Sequence, residues 1–402
     1  MKKILNIFFL LVFWIASGCV SKQKEQVKVD SGNLASIDVP ERLKDLNNLS
    51  AFTADTEPTY KIQLREDREY GTIYPALMPP TRGFGEETAV DGKGKVYRAD
   101  KGEGTIRVYA PDGKELTNIG RRGRGPGEFE EITSIQIYKS QLMVYDSRSV
   151  RISIFNLDPV KLDQSISIDY QGQDIPEGAL SLYPATFLRL NDGEFLTALR
   201  LQKEESTHHF GYYKADKDGN IKSDLIVKQQ RKQTHSGRKT GGQLVGIVLP
   251  FSTHGIVKLS AEGSIYHVNT AEFLIQKYDA DGTYQRAIYY PFNNDPLEES
   301  EVLAEFYHTL HSVVESADYP ETWPAIHSML IDDKERMWIA TIIDDKEYHE
   351  WWVLAPLGKL LAKFVLSSGE SIEAVRNDKI YTKSMDEDKG GEVVRSYRID
   401  MQ

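Results

Sequence analysis

The chain has 402 residues, of which 40% are hydrophobic, a formal net charge of −11 and one cysteine. This acidic balance argues against nucleic acid as a partner and against electrostatic adhesion to anionic lipid. A single cysteine excludes an intramolecular disulfide, so an exported domain of this sequence must be stabilised by burial alone.

The first residues have the pattern of a bacterial secretion signal that ends at the only cysteine. Lys2 and Lys3 precede an apolar core over residues 4–15, which is too short to span a bilayer. Ala16-Ser17-Gly18 then lead into Cys19 and resemble a lipoprotein lipobox, although Ala16 stands where that pattern prefers leucine. The resemblance implies that residues 1–18 are cleaved and that Cys19 is acylated. The alternative is an ordinary cleaved signal followed by a chance cysteine.

Residues 19–58 are polar and lack sustained periodicity. They predict a lipidated, flexible tether with one short turn near residues 41–46. Several acyl chains on Cys19 would make membrane attachment stable, with the lipid anchor as the only membrane contact. The protein is therefore expected in a bacterial cell envelope, either periplasmic or surface-exposed.

A short pattern recurs six times after the tether: an apolar run, a tight polar turn, and a second run with a bulky apolar centre. Roughly 40–70 residues separate these centres, and repeats of this size built from short strands are typical of a β-propeller. The sequence predicts an all-β, six-bladed β-propeller over residues 59–402. The six centres are Tyr97, Met143, Leu196, Tyr266, Trp338 and Tyr381.

The two ends of the predicted propeller complement each other. The sixth repeat stops at Gln402 with room for three strands, whereas residues 59–65 form an alternating strand that belongs to no repeat. We therefore predict that this N-terminal strand completes the last blade and closes the ring, which removes an exposed sheet edge.

Turn residues recur between the predicted strands. Asp91-Gly92 separates the first two strands of one repeat, and Pro111-Asp112-Gly113-Lys114 separates its last two. These residue types favour tight hairpins. The string 216–220 (Asp-Lys-Asp-Gly-Asn) falls where a hairpin is due and lacks the spaced ligands of a calcium loop.

Residues 87–129 carry a resemblance to a known repeat. Ala89-Val90-Asp91, Lys95-Val96-Tyr97 and the glycine-rich stretch 120–129 resemble an NHL-type repeat. More specifically, the chain is similar to six-bladed propeller lipoproteins of Bacteroidota and related bacteria. This resemblance extends over residues 60–402 and implies the fold more firmly than the ligand.

Two long insertions, 228–253 and 291–324, are predicted between blades on one face of the propeller, the loop face. Loops of this length are usually functional or disordered. In the second insertion, which lies between blades 4 and 5, Asp295-Pro296 and Glu298 have the layout of a helix start, and apolar residues follow at helical spacing. They predict an amphipathic helix of about 18 residues that covers apolar surface. A ligand-gating lid is the alternative.

The candidate binding residues lie in loop-face positions near the predicted channel mouth. Arginine side chains can bind a carboxylate, sulfate or phosphate in a bidentate manner. The alternative for the first three arginines is that they pair with Glu128, Glu130 and Glu131. The candidates are Arg121, Arg122, Arg124, Arg148, His254 and Asn269.

No catalytic motif accompanies these residues. The histidines have no recognised metal-ligand spacing, and the chain has neither a nucleophile elbow nor a phosphate loop. We therefore expect no cofactor and favour binding of a peptide, a glycan or a partner protein on the loop face. Because related propellers include lyases that use metal, a metal-assisted lyase or hydrolase is one alternative. A structural subunit of an envelope complex is another.

Overall fold

The computed structural model describes residues 39–74, 85–170, 175–180, 183–190, 193–202 and 208–402. Its strands form six four-stranded antiparallel sheets, one of which gains a fifth, parallel strand, and a separate two-stranded hairpin. The predicted all-β, six-bladed propeller is confirmed. Among the described residues, no helix has the length and apolarity needed to cross a membrane.

The chain enters the fold through β1 (Leu49–Ala51) and β2 (Ile62–Ile73). Blade 1 contains β3 (Thr88–Val90), β4 (Val96–Asp100), β5 (Thr105–Tyr109) and β6 (Glu115–Ile119). Blade 2 contains β7 (Ile132–Tyr138), β8 (Gln141–Asp146), β9 (Arg151–Leu157) and β10 (Val160–Ser167). Blade 3 contains β11 (Thr186–Arg189), β12 (Phe195–Arg200), β13 (His209–Ala215) and β14 (Val227–Gln230).

A hairpin of β15 (Thr234–Arg238) and β16 (Leu244–Val248) precedes blade 4, which contains β17 (Gly255–Leu259), β18 (Ile265–Asn269), β19 (Leu274–Tyr278) and β20 (Tyr284–Tyr289). Helices α1 (Glu299–Ala304) and α2 (His311–Val314) follow, with a 3-10 turn at His308–Leu310 between them. Blade 5 contains β21 (Ile326–Ile331), β22 (Met337–Ile342), β23 (Tyr348–Leu354) and β24 (Leu360–Ser367). Blade 6 contains β25 (Glu370–Arg376), β26 (Lys379–Asp386) and β27 (Gly391–Met401).

The six bulky centres seen in the sequence all lie in the second strand of a blade, in β4, β8, β12, β18, β22 and β26. Every one of these side chains is buried, in clusters formed with neighbouring strands and blades. The repeated pattern therefore marks the core of each blade. The aspartates in the predicted turns have a local role, since the Asp91 carboxylate accepts the main-chain N–H groups of Lys93 and Lys95 at 2.9 Å.

The ring is closed by the N-terminal strand, as predicted. Strand β2 pairs antiparallel with β27 from Ile62 opposite Met401 to Ile73 opposite Glu392, and so supplies the fourth strand of blade 6. It is longer than the predicted strand over 59–65 because two bulges let pairing continue along β27. Closure gives blade 6 four strands, as in blades 1, 2, 3 and 5.

A buried arginine from blade 1 holds this seam. Arg98 is 2% exposed, and its guanidinium donates to the carbonyl oxygens of Tyr70 (2.6 Å), Gly71 (2.7 Å) and Glu392 (3.0 Å). Two of these acceptors lie in β2 and the third in β27. One side chain therefore joins blade 1 to both outer strands of blade 6.

Three buried tyrosines connect alternate pairs of blades in the same way. Each hydroxyl donates to a carbonyl in the turn between the third and fourth strands of the next blade. Tyr70 reaches Pro111 at 3.3 Å, Tyr170 reaches Gly219 at 2.8 Å, and Tyr290 reaches Gly358 at 2.7 Å. These contacts connect blade 6 to blade 1, blade 2 to blade 3, and blade 4 to blade 5.

The tether prediction is wrong for residues 39–58, whereas residues 19–38 lie outside the described part of the chain. Strand β1 pairs in parallel with β20 on the outer edge of blade 4, and Phe52 stacks on Tyr290 with ring centroids 4.7 Å apart. Arg42 donates to both carboxylate oxygens of Glu272. Leu43, in the predicted short turn, is buried. These apolar residues explain why the segment packs on the propeller.

The two insertions pack against each other on the loop face. Both contribute to one apolar cluster that includes Phe251, Val302, Val314 and Trp323. The main-chain N–H of Thr240, in the hairpin turn, donates to the carbonyl of Thr309 at 3.0 Å. The insertions therefore form one unit with a shared apolar cluster, although Leu244, Val248 and Tyr307 stay exposed.

The predicted 18-residue helix is wrong in its length and in its start. Helix α1 begins after Glu298, which forms a capping box with Glu301, whereas Asp295 accepts the main-chain N–H of Trp323. The backbone is extended at Tyr307, with φ −60° and ψ 141°, so the apolar pattern is divided between α1 and α2. This bend lets both short helices reach the same cluster.

Removal of β2 should cost far more stability than removal of β1. A chain that starts at residue 58 lacks β1 and the contacts of Arg42, Leu43 and Phe52 but keeps β2, and it should unfold cooperatively. A chain that starts at residue 75 also loses β2 and the buried Tyr70, and burial of one large aromatic side chain alone is worth about 3–5 kcal/mol. Thermal unfolding and size-exclusion chromatography of both chains test this expectation, and equal melting temperatures would contradict it.

Arg98→Ala should lower the free energy of unfolding by about 3 kcal/mol, because one buried and two partly buried carbonyls lose their donor and each such loss costs about 1–3 kcal/mol. Arg122→Ala is the matched control. Arg122 is exposed, although its guanidinium also donates to two carbonyls, those of Lys101 and Gly102. Its removal should cost less than about 0.5 kcal/mol in urea denaturation. Similar losses for both variants would show that Arg98 does not hold the seam.

Candidate functional site

A cavity of about 640 Å³ lies along the inner strands of blades 3 and 4. Strand β17 forms one wall, Thr186 and Leu188 of β11 form another, and Thr234 and Val248 of the hairpin lie at its rim. The connection between blades 3 and 4 follows the fourth strand of a blade, which places this rim on the loop face. This cavity is the candidate functional site.

Two consecutive cations, Arg231 and Lys232, line the cavity directly after β14. The Arg231 guanidinium lies 4.8 Å from the centre of the Phe210 ring, which fixes its plane. Burial lowers the pKa of Arg231, as does the nearby charge of Arg200. Burial also lowers the pKa of Lys232. Within the described ranges, Arg231, Lys232 and Arg200 form no ion pair with a carboxylate.

His254 lies beside these cations, at the start of β17. Its ring Nδ1 donates to the carbonyl of Ser252 at 3.2 Å, and its main-chain N–H donates to Thr270 Oγ1 at 2.9 Å. Burial lowers the pKa of His254 to about 4, and the charge of Lys232 lowers it further. The imidazole is therefore neutral at pH 7. With the proton on Nδ1, Nε2 is a hydrogen-bond acceptor.

A stacked histidine pair lies next to His254 in blade 5. The rings of His327 and His349 are 4.1 Å apart and tilted by 23°. Burial lowers the pKa of His327 to about 3, with further contributions from His349, Lys232 and His254. Burial lowers the pKa of His349 to about 4. Three neutral imidazoles and Lys232 thus occupy neighbouring positions on the loop-face side of blades 4 and 5.

An ion pair lies at the end of β17 that is remote from His254. Lys258 Nζ lies 2.9 Å from Glu86 Oε1, and both residues line the cavity. Glu373, in the inner strand of blade 6, accepts a hydrogen bond from Ser371 Oγ at 2.8 Å. Burial raises the pKa of Glu373, and the charges of Glu87 and Glu86 raise it further, against the opposing effect of Lys383.

Two buried polar atoms in the cavity wall have no hydrogen-bond partner among the described residues: Thr186 Oγ1 and Gln229 Oε1. Thr186 is 2% exposed and Gln229 is 9% exposed. The amide nitrogen of Gln229 is already used, since it donates to the carbonyl of Gly255 at 2.6 Å. Native proteins rarely leave such atoms unpaired, so a bound molecule or water is expected to complete them.

The predicted arginines have structural partners in the glycine-rich connection. Arg121 pairs with Glu128 at 2.7 Å and Arg124 with Glu130 at 2.9 Å, which is the alternative that the sequence left open. Arg151 reinforces the same connection by donating to the carbonyls of Arg124 and Glu128. None of these arginines lines the cavity described above.

Arg148 and Asn269 lie at loop-face turns outside the cavity wall. Arg148 is exposed, and its main-chain N–H donates to Asp146 Oδ1 at 3.0 Å. Asn269 Oδ1 accepts the main-chain N–H of Ala271 at 3.0 Å, so it caps its turn much as Asp146 does in blade 2. Of the six predicted site residues, the structure places only His254 in the cavity.

Sequence reasoning missed Arg231, Lys232, Gln229 and His327 as site residues. His327 lies beside the cavity lining and resembles His254 in position, because His254 directly precedes β17 and His327 is the second residue of β21. Gln229, Arg231 and Lys232 lie at the end of the fourth strand of blade 3, a position with no sequence motif.

In the described residues, no group of three His, Cys, Asp or Glu side chains could hold a metal ion.

Comparison with known proteins supports the fold. Residues 89–241 match the family DUF5128, described as a 6-bladed beta-propeller. No curated protein matches the chain.

Solved structures with similar strand arrangements share little sequence with this chain. A protein of Bacteroides fragilis described as exported has 12% identity and a TM-score of 0.48, over 88% of this chain and 99% of that chain. A duf4221 family member from Bacteroides vulgatus has 9% identity and a TM-score of 0.43, over 85% and 99%. Virginiamycin B lyase from Staphylococcus aureus has 10% identity and a TM-score of 0.33, over 85% and 90%. Similarities of this size carry no information about ligand or activity.

The free energy of unfolding should fall as the pH is lowered from about 6.5 to about 4. In this window unfolded imidazoles bind protons, whereas His254, His327 and His349 have folded pKa values of about 4, 3 and 4. The double variant His327→Gln/His349→Gln should flatten this fall, and His308→Gln, an exposed histidine of the helical insertion, should not. Urea denaturation at pH 7, 5.5 and 4.5 measures the slopes, and parallel curves for both variants would contradict the expectation.

Proposed function

We propose that this protein is an envelope-anchored binding protein whose ligand occupies the cavity between blades 3 and 4 on the loop face. The observation that carries the proposal is that some cations of the cavity form ion pairs with carboxylates and others do not. Arg231 and Lys232 have no carboxylate partner among the described residues, whereas Lys258, in the same cavity, is paired with Glu86. Partly desolvated cations are costly to maintain without a counter-charge, and perturbed groups of this kind cluster at functional sites.

Cavity size and lining agree with a small ligand or with one segment of a larger one. Its volume of about 640 Å³ lies within the usual range of ligand pockets. Apolar side chains such as Leu188 and Ile256 alternate with polar groups that can orient a ligand.

Membrane attachment through Cys19 is the second part of the proposal. Residues 19–38 separate that cysteine from the first described residue and could extend over about 65–70 Å. Residues 42 and 49–51 lie on the outer edge of blade 4, beside the loop face. A tether of this length is long enough to hold the loop face away from the membrane surface.

A site-specific fluorophore tests the location of binding. The mature chain carrying Cys19→Ser has no cysteine, so Thr234→Cys at the cavity rim and Lys114→Cys on the opposite face can each be labelled alone. Ligands that raise the melting temperature by mass action should change the fluorescence of the Thr234 label and not that of the Lys114 label. A consistent response at Lys114 alone would place the site on the wrong face, and no response to any ligand would overturn the binding function.

Cys19→Ala should abolish lipidation and release the protein from membranes. Two or more acyl chains are needed for stable anchoring, and the acidic domain offers no electrostatic substitute. Membrane fractionation and mass spectrometry of the mature N-terminus measure the outcome. A variant that sediments with membranes as fully as wild type would show that Cys19 is not the anchor.

A further inference from the structure

We infer that the ligand of this cavity is an acidic saccharide: a hydroxyl-rich molecule whose carboxylate is bound by Arg231 and Lys232. The inference rests on the binding function proposed above and specifies its ligand class. Three features of the cavity carry it: the unpaired cations at the rim, the unpartnered neutral polar atoms in the wall, and the neutral imidazole of His254 beside the cations.

The rim requires an anion. Arg231 presents a planar guanidinium held against the Phe210 ring at 4.8 Å, and Lys232 is its chain neighbour. Within the described chain, neither has an acidic partner that a ligand would have to displace. A carboxylate fits the guanidinium fork in a bidentate manner, and the second cation adds a charge-assisted contact.

The wall requires hydrogen-bonding groups without charge. Gln229 Oε1 can only accept, whereas Thr186 Oγ1 can donate or accept, and both lack a partner in the described ranges. A carboxylate cannot satisfy Gln229, because it has no proton to donate at neutral pH. Ligand hydroxyls supply both donors and acceptors, so one molecule with a carboxylate and several hydroxyls meets both requirements.

His254 is suited to bind a ligand hydroxyl rather than the ligand carboxylate. Its imidazole is neutral at pH 7 because burial and Lys232 lower its pKa to about 4. With Nδ1 donating to Ser252, Nε2 is left to accept from a ligand hydroxyl. The cavity thus has its unpaired positive charge at Arg231 and Lys232 and a neutral acceptor, His254, beside them at the start of β17.

The saccharide class is favoured over an acidic peptide because each sugar ring carries several hydroxyls that can donate to Gln229 Oε1 and His254 Nε2. Strands β11 and β17 are the inner edge strands of blades 3 and 4, so strand addition by an acidic peptide is the alternative that tetraglutamate tests. Leu188 and Ile256 in this wall can pack on the apolar faces of sugar rings. The cavity volume of about 640 Å³ is adequate for a small oligosaccharide segment.

Isothermal titration calorimetry on the mature chain carrying Cys19→Ser tests the inference. The probes are oligosaccharides of glucuronate, galacturonate and mannuronate, their methyl esters, inorganic phosphate and tetraglutamate. At least one uronate should bind, and its ester should bind about tenfold to hundredfold more weakly, as loss of a charge-assisted contact predicts. This comparison uses unaltered cavity residues and does not depend on the folding of a variant.

Arg231→Gln and Lys232→Gln should each weaken uronate binding about tenfold to hundredfold. The matched controls are Lys114→Gln and Lys359→Gln on the opposite face, which should leave affinity unchanged. Melting temperatures of all four variants confirm that they are folded.

Several outcomes would overturn the inference. They are equal binding of acid and ester, tighter binding of tetraglutamate or phosphate than of any uronate, and no uronate binding at all. If the Thr234 label responds to neutral ligands while no uronate binds, the binding function stands and the acidic saccharide is wrong. If no ligand changes that label, the binding function itself fails.

Discussion

Closure of the ring by β2 is the constraint on which the rest of the structure depends. Blade 6 receives its outer strand from the other end of the chain, and Arg98 connects that strand to blade 1 through three main-chain carbonyls. Without closure, β27 would present an open edge. The seam also joins segments more than three hundred residues apart in the sequence, so the inner strands of all six blades are fixed relative to one another only when it forms.

The candidate site is a consequence of this fixed arrangement. Its cavity is lined by residues from the connection before blade 1, from blades 2 and 3, and from β17 of blade 4, segments that meet only near the axis. The same convergence explains the electrostatics. Protein on several sides removes water from Lys232, His254 and His327, which lowers their pKa values, and places a paired Lys258 in the same cavity as unpaired Arg231.

Local pattern was enough to predict the repeating elements of this fold. A tight turn followed by a bulky residue such as Tyr97 or Trp338 marks the second strand of a blade, because the turn and the buried residue recur together within each blade's own stretch of sequence. The features of the fold that the sequence did not predict depend on tertiary packing. Tyr307 interrupts a helical pattern so that two short helices reach one cluster, and β1 adds to blade 4 although its own sequence is weakly apolar.

The site was harder to predict than the fold. In the sequence Arg121 and Arg124 appear available for a ligand, but in the structure they pair with Glu128 and Glu130. Arg231 and Lys232 belong to no local sequence motif that would mark them as binding residues. The NHL-type and lipoprotein resemblances stay predictions.

Native-state hydrogen exchange tests the central claim most directly, since it measures the stability of the seam in the unaltered protein. If closure holds the ring together, the amides of β2 and β27 should exchange only through global unfolding, with the same protection as the buried second strands β4 and β22. Exchange of β2 on the timescale of a frayed terminus, with the remaining blades still protected, would show that the ring and its cavity persist without the seam.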